Sequence, residues 1–168
     1  MPMRKSGFTI IELLILSLVV GIIAITVFTD LTRSLSANRL EAAKWKLKSD
    51  IIYAQSLAVT QQVNHGLIFD PANNLYSVYS VITSDIVNDP SSGSAMTTNY
   101  NNESNFQGVQ ISSVSFGSPN TDRLEFDSFG RPYSDAGVTP LAADGTAALN
   151  YGASIVTITV AKNTGKVS

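Results

Sequence analysis

The pattern of apolar and polar positions along this chain changes twice. Residues 8 to 29 are almost entirely apolar, and Ile10 to Phe28 (IIELLILSLVVGIIAITVF) is a run of 19 residues with one charge, Glu12. That is close to the roughly 20 residues a helix needs to cross a hydrocarbon core. Further on, Leu40, Ala43, Leu47, Ile51, Ala54 and Ala58 recur at steps of three or four, which places them on one helical face. No Pro or Gly interrupts Ile22 to Gln62, so the spacing predicts one helix from about Phe8 to about Thr60, about 80 Å long at 1.5 Å per residue. A second line, Trp45, Ile52 and Val59, repeats every seven residues on nearly the opposite side, beside Lys44 and Lys48. It either widens the buried face or contacts a neighbouring subunit.

After Val63 the period falls to two. Val63 to Phe69 predicts a strand, Asp70-Pro71-Ala72-Asn73-Asn74 a turn, and Leu75 to Ile82 a second strand. Further strands are predicted at Val109 to Phe116, Leu124 to Asp127, Ala147 to Tyr151 and Ile155 to Ala161. The short connections require antiparallel pairing. Residues 88–105 are rich in Ser, Asn and Thr and lack apolar periodicity, which predicts a mobile surface loop. The fold class is therefore α+β, with a long N-terminal α-helix packed on an antiparallel β-sheet head, and there is no internal repeat.

Composition removes most enzyme chemistry. The 168 residues include no Cys and one His, His65, so thiol nucleophiles, thiolate metal sites and His clusters are absent. His65 beside Gly66 reads as a packing or surface residue rather than a base, and Asp122, Glu125 and Asp127 read as turn and ion-pair carboxylates rather than an acid/base pair. Asp85, Asn88 and Asp89, or Asp135 and Asp144, offer oxygen ligands for calcium without an EF-hand spacing, and a solvated acidic surface is the default. No phosphate-binding GxxxxGK[ST] loop is present. No enzyme activity, cofactor or metal is expected. Five basic residues face three acidic ones between Asp30 and Val59, but from Thr60 onward four face nine, a poor electrostatic match to nucleic acid.

The N-terminus carries the most specific signal. Arg4 and Lys5 precede the apolar run, which keeps residues 1–7 cytoplasmic and sends the remainder outward. No small-residue signal-peptidase site follows the run. Glu12 inside a spanning segment costs at least about 2.5 kcal/mol unless it snorkels or finds a partner. The stretch Lys5-Ser6-Gly7-Phe8-Thr9-Ile10-Ile11-Glu12 resembles the type IV prepilin signal: a basic leader ending in Gly, then Phe, then Glu at the fifth mature position. The resemblance implies that residues 1–7 are a leader cut between Gly7 and Phe8 by prepilin peptidase, and that the new Phe8 amine is methylated. It also implies an assembly ion pair between that amine and Glu12. Residues 8–29 would then be the transmembrane and assembly half of the helix, 30–62 its amphipathic half, and 63–168 the head.

The head narrows the resemblance. Leu47 to Asp70 is similar to the helix end and first strand of the GspH/FimT-type minor pilins and pseudopilins, Leu124 to Pro132 (LEFDSFGRP) to their F-D-x-x-G-R-P hairpin, and Ile155 to Val167 to their terminal strand. Two departures stand out: Thr29 replaces the Pro of many pilins, so a Pro-dependent helix break is not expected, and the Cys pair of many major pilins is absent. The resemblance implies a structural minor subunit of a type II secretion pseudopilus or a type IV pilus. Such a subunit is anchored in the bacterial inner membrane with its head in the periplasm. Its partners would be other pilin or pseudopilin subunits, prepilin peptidase and the inner-membrane assembly platform. The alternatives are a DNA-uptake pilin using Arg123, Arg131, Lys162 and Lys166, which the acidic excess disfavours, and a static anchored domain whose leader is never removed.

Overall fold

The computed structural model describes residues 8–117, 121–135 and 138–168, with the side chains of residues 25–33 left out. The chain divides into two compact units, Met1–Ser36 and Ala37–Ser168. Helix α1, Ile10–Gln61, passes through Thr29 without a break. Among the described residues nine strands follow: β1 His65–Asp70, β2 Leu75–Ser80, β3 Thr97–Asn99, β4 Gln110–Ser115, β5 Arg123–Phe126, β6 Pro132–Asp135, β7 Thr139–Pro140, β8 Gly145–Tyr151 and β9 Ser154–Val160.

In the second unit, all six positions of the predicted helical face are buried, with Ala43, Leu47, Ile51, Ala54 and Ala58 at 0% exposure. They join one core with residues from two antiparallel sheets, where the sequence pattern suggested one. The larger sheet has the order β3-β2-β1-β5-β6-β7 and the smaller the order β4-β8-β9. In the larger, Leu67 lies between Val78 and Leu124 and Phe69 faces Tyr76, so these side chains share one face. In the smaller, Ala147 faces Ile158 and Leu149 faces Val156. A bulge between Ile111 and Ser113 resets the alternation of β4, which brings Val114 opposite Ala147. The sheets meet where Phe116 stacks on Phe69, with ring centroids 5.3 Å apart.

Asn74 ties the two sheets by hydrogen bonds. Its φ of 57° closes the β1–β2 turn. Its buried amide accepts from the Ile111 N–H at 2.8 Å and donates to the Val109 carbonyl at 2.8 Å and to Asn101 at 3.0 Å. This connection bears on residues 88–105, which are not the unstructured loop their composition suggests. They contain β3, paired with β2, and run into a 3-10 turn at Ser104–Phe106. Met96, Thr98, Tyr100 and Phe106 are buried, and the Tyr100 hydroxyl donates to the Ala43 carbonyl. Three inward-facing side chains within the segment, with Phe106 just beyond it, outweigh its polar average. β6 and β7 also escape sequence patterning, since one opens with Pro and the other has two residues.

The outer face of the larger sheet holds a buried polar pair. Tyr79 and Glu125 flank Gly66 on adjacent strands, and the Tyr79 hydroxyl donates to the Glu125 carboxylate over the glycine. A Cβ at Gly66 would lie 2.5 Å from the Leu124 carbonyl oxygen and 2.9 Å from the Glu125 Cγ. Burial raises the pKa of Glu125, against the opposing effects of Tyr79 and Arg123. Gly66→Ala must therefore force β1 and β5 apart as well as displace Glu125. The expected loss is about 1 to 3 kcal/mol, measured by urea denaturation of the variant beside the parent protein.

Candidate functional site

Three surfaces bear on the sequence expectations. The first is the start of α1. Thr9 and Glu12 form a reciprocal capping box: the Glu12 carboxylate accepts from the Thr9 N–H and the Thr9 hydroxyl, both at 3.1 Å, and the Glu12 N–H donates to the Thr9 hydroxyl oxygen at 3.3 Å. Two orphan helix donors are satisfied in this way. Glu12 therefore serves its own helix before any partner is met. The signal for it, Thr followed three residues later by Glu before an apolar run, was present in the sequence and was hidden by the prepilin motif. Gly7, one side of the expected cut, lies outside the described residues, while Phe8 is exposed.

Large apolar side chains from Phe8 to Ile23 are exposed, including Ile10 at 81% and Leu18 at 66%. Among the described residues no helix is long and apolar enough to cross a membrane. Residues 25–28 of the 19-residue apolar run fall among the side chains that are not described.

The second surface is the outer face of α1 in the head unit. Trp45, Ile52 and Val59 are exposed at 57%, 47% and 42%, so the wide-face alternative, in which this line is buried in the head, does not hold. Successive members advance about −20° around the helix, almost parallel to its axis, while the buried line lies roughly opposite. The Lys44 and Lys48 ammonium groups sit 5.9 Å and 5.3 Å from the Trp45 ring centroid.

The third is the turn between β5 and β6, the F-D-x-x-G-R-P segment. Asp127 organises it, accepting from the N–H groups of Phe129 and Arg131 at 2.9 Å each and from the Arg131 Nε at 2.8 Å, with Arg131 Nη2 at 2.6 Å. Gly130 takes φ 77°. Gln55 of α1 then clamps two turns at once, its amide donating to the Gly130 carbonyl at 2.8 Å and the Thr164 carbonyl at 3.1 Å. Phe129 is left 79% exposed, with the Arg131 guanidinium 5.3 Å from its ring centroid.

The remaining candidates do not form a reaction centre. His65 is buried, with Nδ1 2.8 Å from the Val63 carbonyl oxygen. No group of three or more potential metal-ligating His, Cys, Asp or Glu residues exists among the described residues. The Asp89 carboxylate accepts from the Ser91 N–H and hydroxyl, and the Asp144 carboxylate from the Lys162 N–H. Of the four basic residues of the DNA alternative, Arg131 and Lys166 lie at or beside the β5–β6 turn, and Arg123 and Lys162 lie elsewhere. Arg123 lies in β5 opposite Ile68, Arg131 is held by Asp127, Lys162 donates to the Ala142 carbonyl, and Lys166 follows Gly165 beside the β5–β6 turn.

No protein-family model matches this chain, and no curated protein matches it. Solved structures do. The minor pseudopilin EpsH from the type II secretion system of Vibrio cholerae superposes with a TM-score of 0.56 at 13% identity, over 78% of this chain and 95% of that one. The type IV minor pilin FimU of Pseudomonas aeruginosa superposes with a TM-score of 0.52 at 16% identity, over 79% and 88%. This is the minor-pilin fold. A second EpsH structure gives 0.55 at 12% identity. In the pilin-like head, the β5–β6 turn and the terminal turn lie on either side of Gln55, so the segments that carried the family resemblance converge on the last turns of α1.

The electrostatics of the β5–β6 turn lead to a pH prediction. Burial opposes ionisation of Asp127, but hydrogen bonds from the Arg131 N–H, the Arg131 side chain and the Phe129 N–H outweigh it and hold the carboxyl below its ordinary value of 3.8. Because the folded pKa is the lower one, this stabilisation is fully present above about pH 4 and is lost as pH falls through the folded value. Asp127→Asn is expected to cost about 1 to 3 kcal/mol at pH 7, with the gap from the parent closing toward pH 3 in urea unfolding curves.

Proposed function

We propose that this protein is a non-enzymatic minor subunit of a type IV pilus or type II secretion pseudopilus. It is anchored in the inner membrane by its N-terminal helix and then assembled through that helix. The observation that carries this reading is the joining of a pilin-like fold to an apolar N-terminal sequence that opens Gly-Phe-Thr-Ile-Ile-Glu. A presenting role is supported by carboxylates engaged in structural bonds: Asp70, Asp89 and Asp127 hold turns, and Asp50 pairs with Lys46. The exposed apolar side chains between Phe8 and Ile23 require a nonaqueous surrounding, lipid before assembly and neighbouring helices after it.

In this reading prepilin peptidase cuts after Gly7, and the new Phe8 ammonium shares the apolar surroundings of Glu12. Pairing the two offsets the cost of either charge alone. The capping box gives Glu12 a second duty, and the two duties separate by substitution. Glu12→Gln keeps a side chain able to cap Thr9 but removes the charge.

Mass spectrometry of the membrane-extracted protein should find an N-terminus at methylated Phe8, and a chain beginning at Met1 would sink the proposal. In a filament pull-down, Glu12→Val and Glu12→Gln should both insert in the membrane and both fail to co-purify with other subunits. Normal incorporation of Glu12→Gln would assign Glu12 to capping alone.

A further inference from the structure

We propose that the Trp45–Ile52–Val59 ridge, continued by Phe129 on the adjoining turn, receives an amphipathic helix of a different subunit, one whose apolar face is flanked by acidic residues. This inference rests on the subunit reading above and names the chemistry of the neighbour.

The ridge is one surface built from two parts of the chain. A Cβ at Gly130 would lie 3.2 Å from Val59 Cγ2, so the β5–β6 turn touches the helix at the last ridge residue. Phe129, in that turn, is the most exposed of the four apolar residues at 79%. Asp127 and Gln55 hold the turn, which lowers the ordering cost of docking against Phe129. Trp45 to Val59 spans 14 residues, about 21 Å at 1.5 Å per residue, or two heptads. Apolar residues seven apart suit a helix crossing at about 20°.

Charge selects the partner. Glu41 is taken by Lys44 at 3.2 Å, Asp50 by Lys46 at 2.6 Å and Asp127 by Arg131 at 2.6 Å. Lys48, 5.3 Å from the Trp45 ring centroid at one end, and Lys166, whose neighbour Gly165 packs against Gly130 of the β5–β6 turn at the other, form no ion pair among the described residues. A second copy lying ridge to ridge would bring like charges together. A helix carrying Asp or Glu beside its apolar stripe would satisfy both ends.

The chain has no Cys, so Ser56→Cys in the full protein, labelled with a benzophenone maleimide, reports the neighbour without altering the ridge. Irradiation of assembled material and mass spectrometry should give an adduct with another subunit, on a helical segment with Asp or Glu within one heptad of the attachment point. In a Lys48→Glu, Lys166→Glu background whose thermal melt is unchanged, the yield should fall at least tenfold. An adduct with this chain's own sequence, an adduct with a basic-flanked segment, or an undiminished yield in the charge-reversed background overturns the proposal. A parallel label at Ser17→Cys separates the two levels. Adducts from Ser17 without any from Ser56 leave the assembly role standing and overturn this ridge, whereas none from either site overturns the assembly role itself.

Discussion

The close approach of helix and sheets that Ala43, Ala54 and Ala58 permit is the constraint on which the head depends. All three have 0% exposure, and between them Leu47 and Ile51 are equally buried. A larger residue at any of the three would hold α1 away from the strands and open space around those aliphatic side chains. The same approach creates a polar obligation. Asp50 lies on the buried side and is satisfied by Lys46 and by the Tyr76 hydroxyl at 2.7 Å. Burial keeps that hydroxyl protonated by raising its pKa well above the ordinary value, with Tyr100 and Asp50 acting in the same direction.

Periodicity was most informative where a residue's surroundings are set by local geometry alone. A 3.6-residue repeat marked all six inward positions of α1 because one helix face meets one core. The alternation of Leu67 and Phe69, or Ile158 and Val160, marked strands for the same reason. What escaped is decided by distant partners. β3 is three residues of a Ser- and Asn-rich stretch and exists because Tyr76 and Ser77 offer it an edge. Asn74 was legible as a turn residue, but its bonds to Val109 and to Ile111 of β4 join positions 35 and 37 residues apart. The division into two sheets depends on Phe116 meeting Phe69 and leaves no local trace.

The candidate surfaces show the same split. The prepilin-like motif is contiguous and could be read directly, yet its prominence obscured the shorter capping pattern inside it. The Trp45, Ile52 and Val59 line was visible as a repeat, but whether it faced inward or outward required the structure. Phe129 gave no sign of belonging with that line, because the turn carrying it reaches α1 through Gln55 and Gly130, 75 residues apart in sequence.

Gln55 carries a mechanical consequence. Force applied along α1 would reach the strands through the buried face from Leu40 to Ala58, about 27 Å at 1.5 Å per residue. Force along that axis loads the contacts in shear, so many must yield together. The two carbonyls held by one Gln55 amide belong to different turns, which resists rolling of the helix against the head. Tension would thus be borne by a broad seam with a lock near its far end, and failure by peeling one strand at a time would be suppressed.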